Sequence, residues 1–391
     1  MGKELSTIAI HGGEEEPHAL NSIAPPIFQT AVHSMRRFDD LRRYARGQAP
    51  ELYLYARSAN PTVDLAARKV AALEGAEAAV VTASGTAAAF VIAIALLETG
   101  DEIVAMHSVY GGTYRMMRDI LPRLGIKTHF FEGDELERAP GLINSRTRIL
   151  WVESPTNPLN RVVDLEQTAH LARKHGLVSV IDNTFASPVN QRPIERGIDI
   201  VMHSATKYLS GHSDLVAGAV CGRADLIERI AKVLAATGGV LSPAAAALLV
   251  RGIKTLDVRV QRVNSNSMRL ATALASHPKV AQVHYAGLAS SPYHGVARRQ
   301  MTGFGGVVTI ELPGGEAQVE RFCDSLKLIK IATSLGGTET IVTSPVLTSH
   351  TGYSEAELAA SGVSPGTVRF SVGLEASEDL LADVEQALEA L

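Results

Sequence analysis

Cysteine is almost missing from this chain: Cys221 and Cys323 are the only two, and neither sits in a CxxC pair. Two thiols cannot build a disulfide framework, so a reducing compartment, most simply the cytoplasm, is expected. The N-terminal stretch MGKELSTIAIHGGEEEP lacks the apolar run of a secretory signal. No segment reaches the roughly 18 uncharged apolar residues of a membrane span. Excess positive charge is missing too; the formal net charge is −4, and nucleic acid is not an expected partner. The sequence contains neither GxGxxG nor GxxxxGK[ST], which counts against dinucleotide and P-loop readings. No repeat, low-complexity tract or metal site is visible.

What is present is the balance of a folded protein, 46% hydrophobic and 20% charged over 391 residues, a length that calls for two domains. Residues 1–60 carry Pro17, Pro25, Pro26 and Pro50 and a basic cluster at Arg36, Arg37, Arg42 and Arg43. With so little apolar periodicity this segment is either disordered or an arm that packs on something else. From residue 61 helices alternate with short apolar strands, expected at 76–83, 102–106, 128–131, 149–152, 178–181, 198–203 and 217–221, with helices at 63–73, 86–97 and 165–175. Strands separated by helices imply a mostly parallel sheet covered on both faces. The expected class is α/β: a large domain over 61–245 and a smaller C-terminal α+β domain over 246–391. A long amphipathic stretch at 244–275, interrupted by Gly252, links the two. The smaller domain has strands at 307–312, 329–332 and 367–371 and a final helix from Ser377.

The densest chemical signal is Ser204-Ala205-Thr206-Lys207, just past an apolar strand. Open α/β sheets bind ligands at that carboxyl edge. A lysine there can form an imine with an aldehyde, and two neighbouring hydroxyls suit a phosphate; alone, the tetrapeptide reads equally as a surface turn. Asp182 ends the strand 25 residues earlier, a spacing that permits one strand–helix–strand step. Amine and carboxylate at one edge are what pyridoxal 5'-phosphate needs: the first holds the aldehyde, the second keeps the pyridine nitrogen protonated. An aspartate capping the next turn is the plain alternative. Ser84-Gly85-Thr86 joins a strand to a helix and offers free amides to an anion, or else a simple N-cap. Tyr110, followed by Gly111-Gly112, can cover a flat cofactor or fill a turn. Arg369 can grip a carboxylate bidentately or lie at the surface.

Taken in order, these motifs resemble the Cys/Met-metabolism PLP enzymes, the family of cystathionine γ-lyase, cystathionine γ-synthase, methionine γ-lyase and O-acylhomoserine sulfhydrylase. The resemblance runs from His11-Gly12 to the RFSVGLE stretch at 369–375. It includes Tyr55-Ala56-Arg57, Asn60-Pro61-Thr62, SGTAA at 84–88, ESPTNP at 153–158, Asp182-Asn183-Thr184-Phe185, HSATK at 203–207 with YLSGHSD at 208–214, and Ser334-Leu335-Gly336-Gly337. It implies an aspartate-aminotransferase-like fold of type I. It makes Lys207 the Schiff-base lysine and proton carrier, Asp182 the partner of the pyridine nitrogen, and Tyr110 the residue that stacks on the ring and activates amine or leaving group. Ser84, Gly85, Thr86, Ser204, Ala205 and Thr206 would hold the cofactor through its phosphate. Tyr55, Ala56 and Arg57 would reach that phosphate from a neighbouring subunit, so that residues 1–60 become an arm and the active unit a homodimer with shared sites, usually paired into a homotetramer. Asn157, Ser334 and Arg369, with Tyr110, would hold an amino-acid substrate.

Within the family the chain departs from its methionine γ-lyases. Gly112 stands where they have a cysteine, and Leu234-Ala235 where they have lysine–aspartate. Leu54, before the arm tyrosine, differs from the glutamate common in cystathionine γ-lyases; Glu339 does not discriminate. The GHSD stretch at 211–214 looks more like the cystathionine enzymes. The expected reaction is therefore γ-elimination of a cystathionine γ-lyase-like kind. The alternatives are γ-replacement, methionine γ-lyase activity, an aminotransferase, and a non-catalytic PLP-binding protein.

Overall fold

The computed structural model describes residues 3–15, 17–131 and 135–391. Its larger sheet has seven strands: β1 (Ala78–Thr82), β2 (Glu102–Met106), β3 (Lys127–Phe131), β4 (Thr147–Glu153), β5 (Val178–Asp182), β6 (Ile200–His203) and β7 (Gly218–Gly222). They lie in the order β1-β7-β6-β5-β4-β2-β3. All neighbours are parallel except at β7, which runs against both β1 and β6. Strands β2, β4 and β7 are buried along nearly their whole length, which is why they read as unbroken apolar runs.

Side-chain caps set the starts of three helices that pack on this sheet. Asn60 accepts from the amides of Thr62 and Val63, Pro61 takes the first helical position of Pro61–Glu74, and Gly75 closes the helix at φ 69°. Ser84 accepts from Ala87 N and starts Gly85–Leu96, and Asp164 does the same at Gln167 N for Leu165–Lys174. Strand order reverses between β4 and β2, so the crevice beside the carboxyl ends of β2, β4, β5 and β6 is the switch point where such sheets take ligands.

Residues 256–275 form one helix that serves two cores. Leu256, Val260 and Val263 pack in the large one, and Leu270, Ala271 and Leu274 in the small one. The smaller sheet adds β8 (Gln282–His284), β9 (Val307–Glu311), β10 (Lys330–Ile331), β11 (Ile341–Thr343) and β12 (Thr367–Ser371), in the order β10-β11-β12-β9-β8. The expected 244–275 stretch is two helices, Pro243–Ile253 and Leu256–Ala275, and the break falls at Lys254–Thr255 rather than at Gly252. The buried Arg259 explains the position: it takes the carbonyl of Gly252 at 2.7 Å and the hydroxyl of Thr255 at 3.1 Å, groups a continuous helix would keep to itself.

The described part of the first 60 residues holds more regular structure than its composition suggests. Leu5–His11 is a helix, and its Ala9 enters the large core. Glu14 pairs with buried Lys69 at 2.6 Å; burial works against its charge, yet bonds from Lys69, Lys254 and His18 pull it down to about 2. Removing one member of such a buried pair costs about 3–5 kcal/mol. Beyond this anchor the segment exposes Leu20, Ile23, Ile27, Val32 and Phe38. No helix among the described residues is long and apolar enough to cross a membrane.

Candidate active site

A cavity of about 470 Å³ opens at the carboxyl edge of the large sheet, on the side where the smaller sheet contributes Arg369. Its walls are built from strand ends. Glu153 and Asp182 close β4 and β5 as register partners, Ser204 to Lys207 follow β6, Ser84 to Thr86 follow β1, and Tyr110 follows β2. Strand β12 contributes Arg369 from the other side.

Lys207 occupies a turn fixed from below. Its carbonyl accepts from Gly211 N at 2.8 Å, and the next carbonyl, Tyr208 O, accepts from buried Arg259 at 2.8 Å. Its amine donates to the hydroxyl of Ser334. Burial, reinforced by the positive charge of Arg369, lowers the amine to about 8, so it remains mostly protonated at pH 7 but gives up its proton far more readily than an ordinary lysine. Ser334 holds a left-handed backbone at φ 82°, rare for a residue with a side chain. That conformation turns its hydroxyl to Lys207 and its carbonyl to Arg369.

Arg369 is 5% exposed. It donates to Asn157 Oδ1 at 2.9 Å and to Ser334 O at 2.8 Å, while its Nε is buried without an acceptor. Burial brings it down to about 10, which leaves it charged at neutral pH. A buried guanidinium with neutral partners and a spare donor is prepared for a carboxylate. Asp182 is also buried; its Oδ1 accepts both the amide and the hydroxyl of Thr184. Burial raises its pKa, while the Thr184 bonds and the charge of His203 oppose the rise.

Most of the expected residues meet in this one cavity: Ser84, Gly85, Thr86, Tyr110, Asn157, Asp182, Ser204, Thr206, Lys207, Ser334 and Arg369. Four do not. Ala205 is fully buried in the large core and can offer only its backbone. Tyr55, Ala56 and Arg57 lie away from the cavity of their own chain, with Arg57 bonded to Ala235 O and Tyr55 45% exposed. Thr206 lines the wall, but its hydroxyl both donates to Ala217 O at 3.1 Å and accepts from Ala217 N at 3.0 Å, bracing the lysine turn. Glu153, assigned no role from sequence, lies in the wall beside Asp182. Burial and the charge of Asp182 push its carboxyl well above the carboxylate range.

The residues fit pyridoxal phosphate. A β-carbon on Gly85 would stand 2.8 Å from Cβ of Ser204, so two backbone turns close into a cradle that only glycine permits, at the start of a helix. Bound there, the cofactor supplies an electron sink for charge developing at the substrate's Cα. Lys207 would hold its aldehyde, Asp182 its ring nitrogen, and Ser84, Gly85, Thr86 and Ser204 its phosphate.

A mostly parallel sheet whose edge joins a lysine, a buried aspartate and a phosphate cradle defines a PLP enzyme of the aminotransferase-like fold. The sequence profile of the Cys/Met metabolism PLP-dependent enzymes matches residues 6–389. The chain is 41% identical over 389 residues to the L-methionine gamma-lyase of Pseudomonas putida, covering 99% of this chain and 97% of that one. It is 39% identical over 384 residues to the cystathionine gamma-lyase of Bacillus subtilis, covering 98% of each. The structure of a cystathionine gamma synthase from Xanthomonas oryzae pv. oryzae, in complex with aminoacrylate and cysteine, superposes with a TM-score of 0.93 at 36% identity over 100% of this chain and 99% of that one. The protein belongs to the Cys/Met-metabolism PLP-dependent enzymes, the carbon–sulfur lyases and synthases of trans-sulfuration.

Proposed function

We propose that the enzyme catalyses γ-elimination on sulfur-containing L-amino acids, with cystathionine as its preferred substrate and 2-oxobutanoate, ammonia and a thiol as products. The observation that carries this reading is the amine of Lys207, lowered to about 8 and set in one cavity with Arg369. With the α-carboxylate on Arg369 and Asn157, Lys207 takes the Cα proton and moves protons on the same face as far as Cβ. Asp182 keeps the ring nitrogen's proton in place. Tyr110, 44% exposed at the mouth, gives a proton to the departing sulfur.

Gly112 supports cystathionine over methionine. A β-carbon there would stand 2.5 Å from Cε1 of Tyr110, so the cysteine typical of methionine γ-lyases would require the tyrosine ring to shift from the position it takes over this glycine. The second reading, γ-replacement, draws on the likeness to the γ-synthase structure. Products separate the two. Given cystathionine, methionine and O-acylhomoserine, with and without cysteine, the enzyme is expected to form 2-oxobutanoate from cystathionine at least ~10-fold faster than from methionine, since one altered pocket contact is worth about 1–3 kcal/mol. Faster conversion of O-acylhomoserine and cysteine into cystathionine would replace elimination with replacement as the main activity.

The functional unit in this reading is at least a homodimer, and a homotetramer in its full form, with Tyr55, Ala56 and Arg57 completing the partner's phosphate site. Its support is the exposed apolar face of residues 20–38 and the distance of Tyr55 and Arg57 from their own cavity. Arg57→Ala should weaken cofactor binding. Mixing it with Lys207→Ala under subunit exchange should restore up to about a quarter of the activity, because one site in a mixed dimer is then intact. No recovery after demonstrated exchange would remove the arm from the site.

A further inference from the structure

Glu153 is a buried carboxyl that the catalytic reading leaves idle. Among the described residues it forms no ion pair, although it is only 4% exposed and its strand register sets it beside a second carboxyl, Asp182. Removing a carboxyl from water without a cation is costly, and an apolar residue at a strand end would avoid the cost. What Glu153 does instead is accept two backbone amides from separate segments. Oε2 takes Tyr110 N at 2.6 Å, across 43 residues of sequence, and Oε1 takes Asn157 N at 3.3 Å.

Those two segments carry opposite walls of the cavity. Tyr110 precedes the five-residue helix Gly111–Arg115 and has no side-chain cap of its own. Asn157 sits in a turn with cis bonds at Ser154-Pro155 and Asn157-Pro158, and its side chain holds Arg369. Arg369 continues to Ser334 O, and Ser334 Oγ to Lys207. Tyr110, Glu153, Asn157, Arg369, Ser334 and Lys207 therefore form one hydrogen-bonded chain around the cavity, in which Glu153 links the tyrosine wall to the arginine wall.

We infer that Glu153 is a positioning residue that fixes the aromatic cover Tyr110 and the carboxylate clamp Asn157–Arg369 relative to each other. It touches the walls rather than the substrate. Without it, two backbone N–H groups lose their acceptor and each wall moves separately, so the clamp is no longer set for a carboxylate under the tyrosine. The inference rests on the reading of Arg369 and Asn157 as that clamp.

Glycine is a suitable probe for the PLP-loaded enzyme, because it offers an amino group and a carboxylate and has nothing at Cγ to eliminate. Its binding is read from the change in the cofactor's visible absorbance. Glu153→Ala is expected to raise the Kd for glycine about 10-fold or more, while the Kd for the cofactor itself rises less than ~3-fold, because the phosphate cradle is untouched. Asn157→Ala should do the same, and the double variant should bind about as well as the weaker single one, the signature of two groups acting through one linkage. Glu153→Gln keeps one acceptor and should fall between wild type and alanine; it carries the test alone if the alanine variant does not fold. Unchanged glycine binding in both Glu153 variants, or additive losses in the double variant, would overturn the inference. Arg369→Ala is the control: normal glycine binding in that variant would sink the clamp reading itself, whereas loss there with none at Glu153 sinks only the positioning role.

Discussion

Lys207→Ala is expected to cut turnover by about 10⁴-fold while leaving the cofactor bound. Proton transfer by a placed side chain contributes about 10²–10⁴ in rate, and here one amine serves more than one transfer, so the upper end applies. The phosphate cradle at Gly85 and Ser204 and the carboxylate of Asp182 do not depend on the lysine. Equilibrium dialysis of PLP should therefore show a Kd raised by ~10- to 100-fold rather than abolished. Added methylamine should recover part of the activity, since the truncated side chain leaves room for a small amine. Turnover within 10-fold of wild type would remove Lys207 from the chemistry.

Arg369→Ala should lower kcat/KM by about 10²–10³-fold. A buried, hydrogen-bonded charge that meets a ligand carboxylate is worth about 3–4 kcal/mol on truncation. The loss should fall mainly on KM, because Lys207 and Asp182 remain in place. Arg369→Lys keeps the charge but not the two-pronged geometry that now engages Asn157 and Ser334, and should recover only part of the loss. Arg369→Ala, unlike Arg369→Lys, also removes a positive neighbour of Lys207, so in that variant the lysine's pKa should move back up, visible as a shift of the pH–rate profile toward higher pH. If Arg369→Ala had kcat/KM within 3-fold of wild type, the carboxylate would have to bind elsewhere.

The parts of this account that the sequence carried are those written locally. Apolar runs announced β2, β4, β5 and β6 because central parallel strands are buried on both faces, and Asp182 at the end of β5 and Ser204–Lys207 after β6 marked the sheet's active edge. Lys207 and Asp182 could be placed at one edge from that pattern alone. Strands β8 and β11, three residues each, were not anticipated, whereas two-residue β10 was, because Ile329 and Ala332 extend its alternating apolar pattern beyond the strand itself. The helix Leu5–His11 has no capping side chain and owes its place to packing and to the distant Glu14–Lys69 pair.

Within the site the same division holds. Ser334 could be named only through ordered motifs, and Arg369 only as one of two open readings, since their link to Lys207 joins parts of the chain far apart in sequence. The bracing role of the Thr206 hydroxyl depends on Ala217, eleven residues on, and nothing in Ser-Ala-Thr-Lys announces it. Glu153 was in plain view at the head of Glu-Ser-Pro-Thr-Asn-Pro, but its partners are backbone amides, which leave no mark in a sequence. The signal that could have flagged it is a carboxylate at the end of a mostly apolar strand, the same signal that singled out Asp182.

The most direct test of the central claim is to trap the cofactor on its lysine. The PLP-loaded enzyme should show a band near ~420 nm, a property of the cofactor bound as an imine. Borohydride should abolish that band, and peptide mass spectrometry should then find the reduced pyridoxyl group on Lys207 alone, with no stable adduct in Lys207→Ala. A pyridoxyl group on any other lysine, or an enzyme that turns over without one on Lys207, would contradict the account.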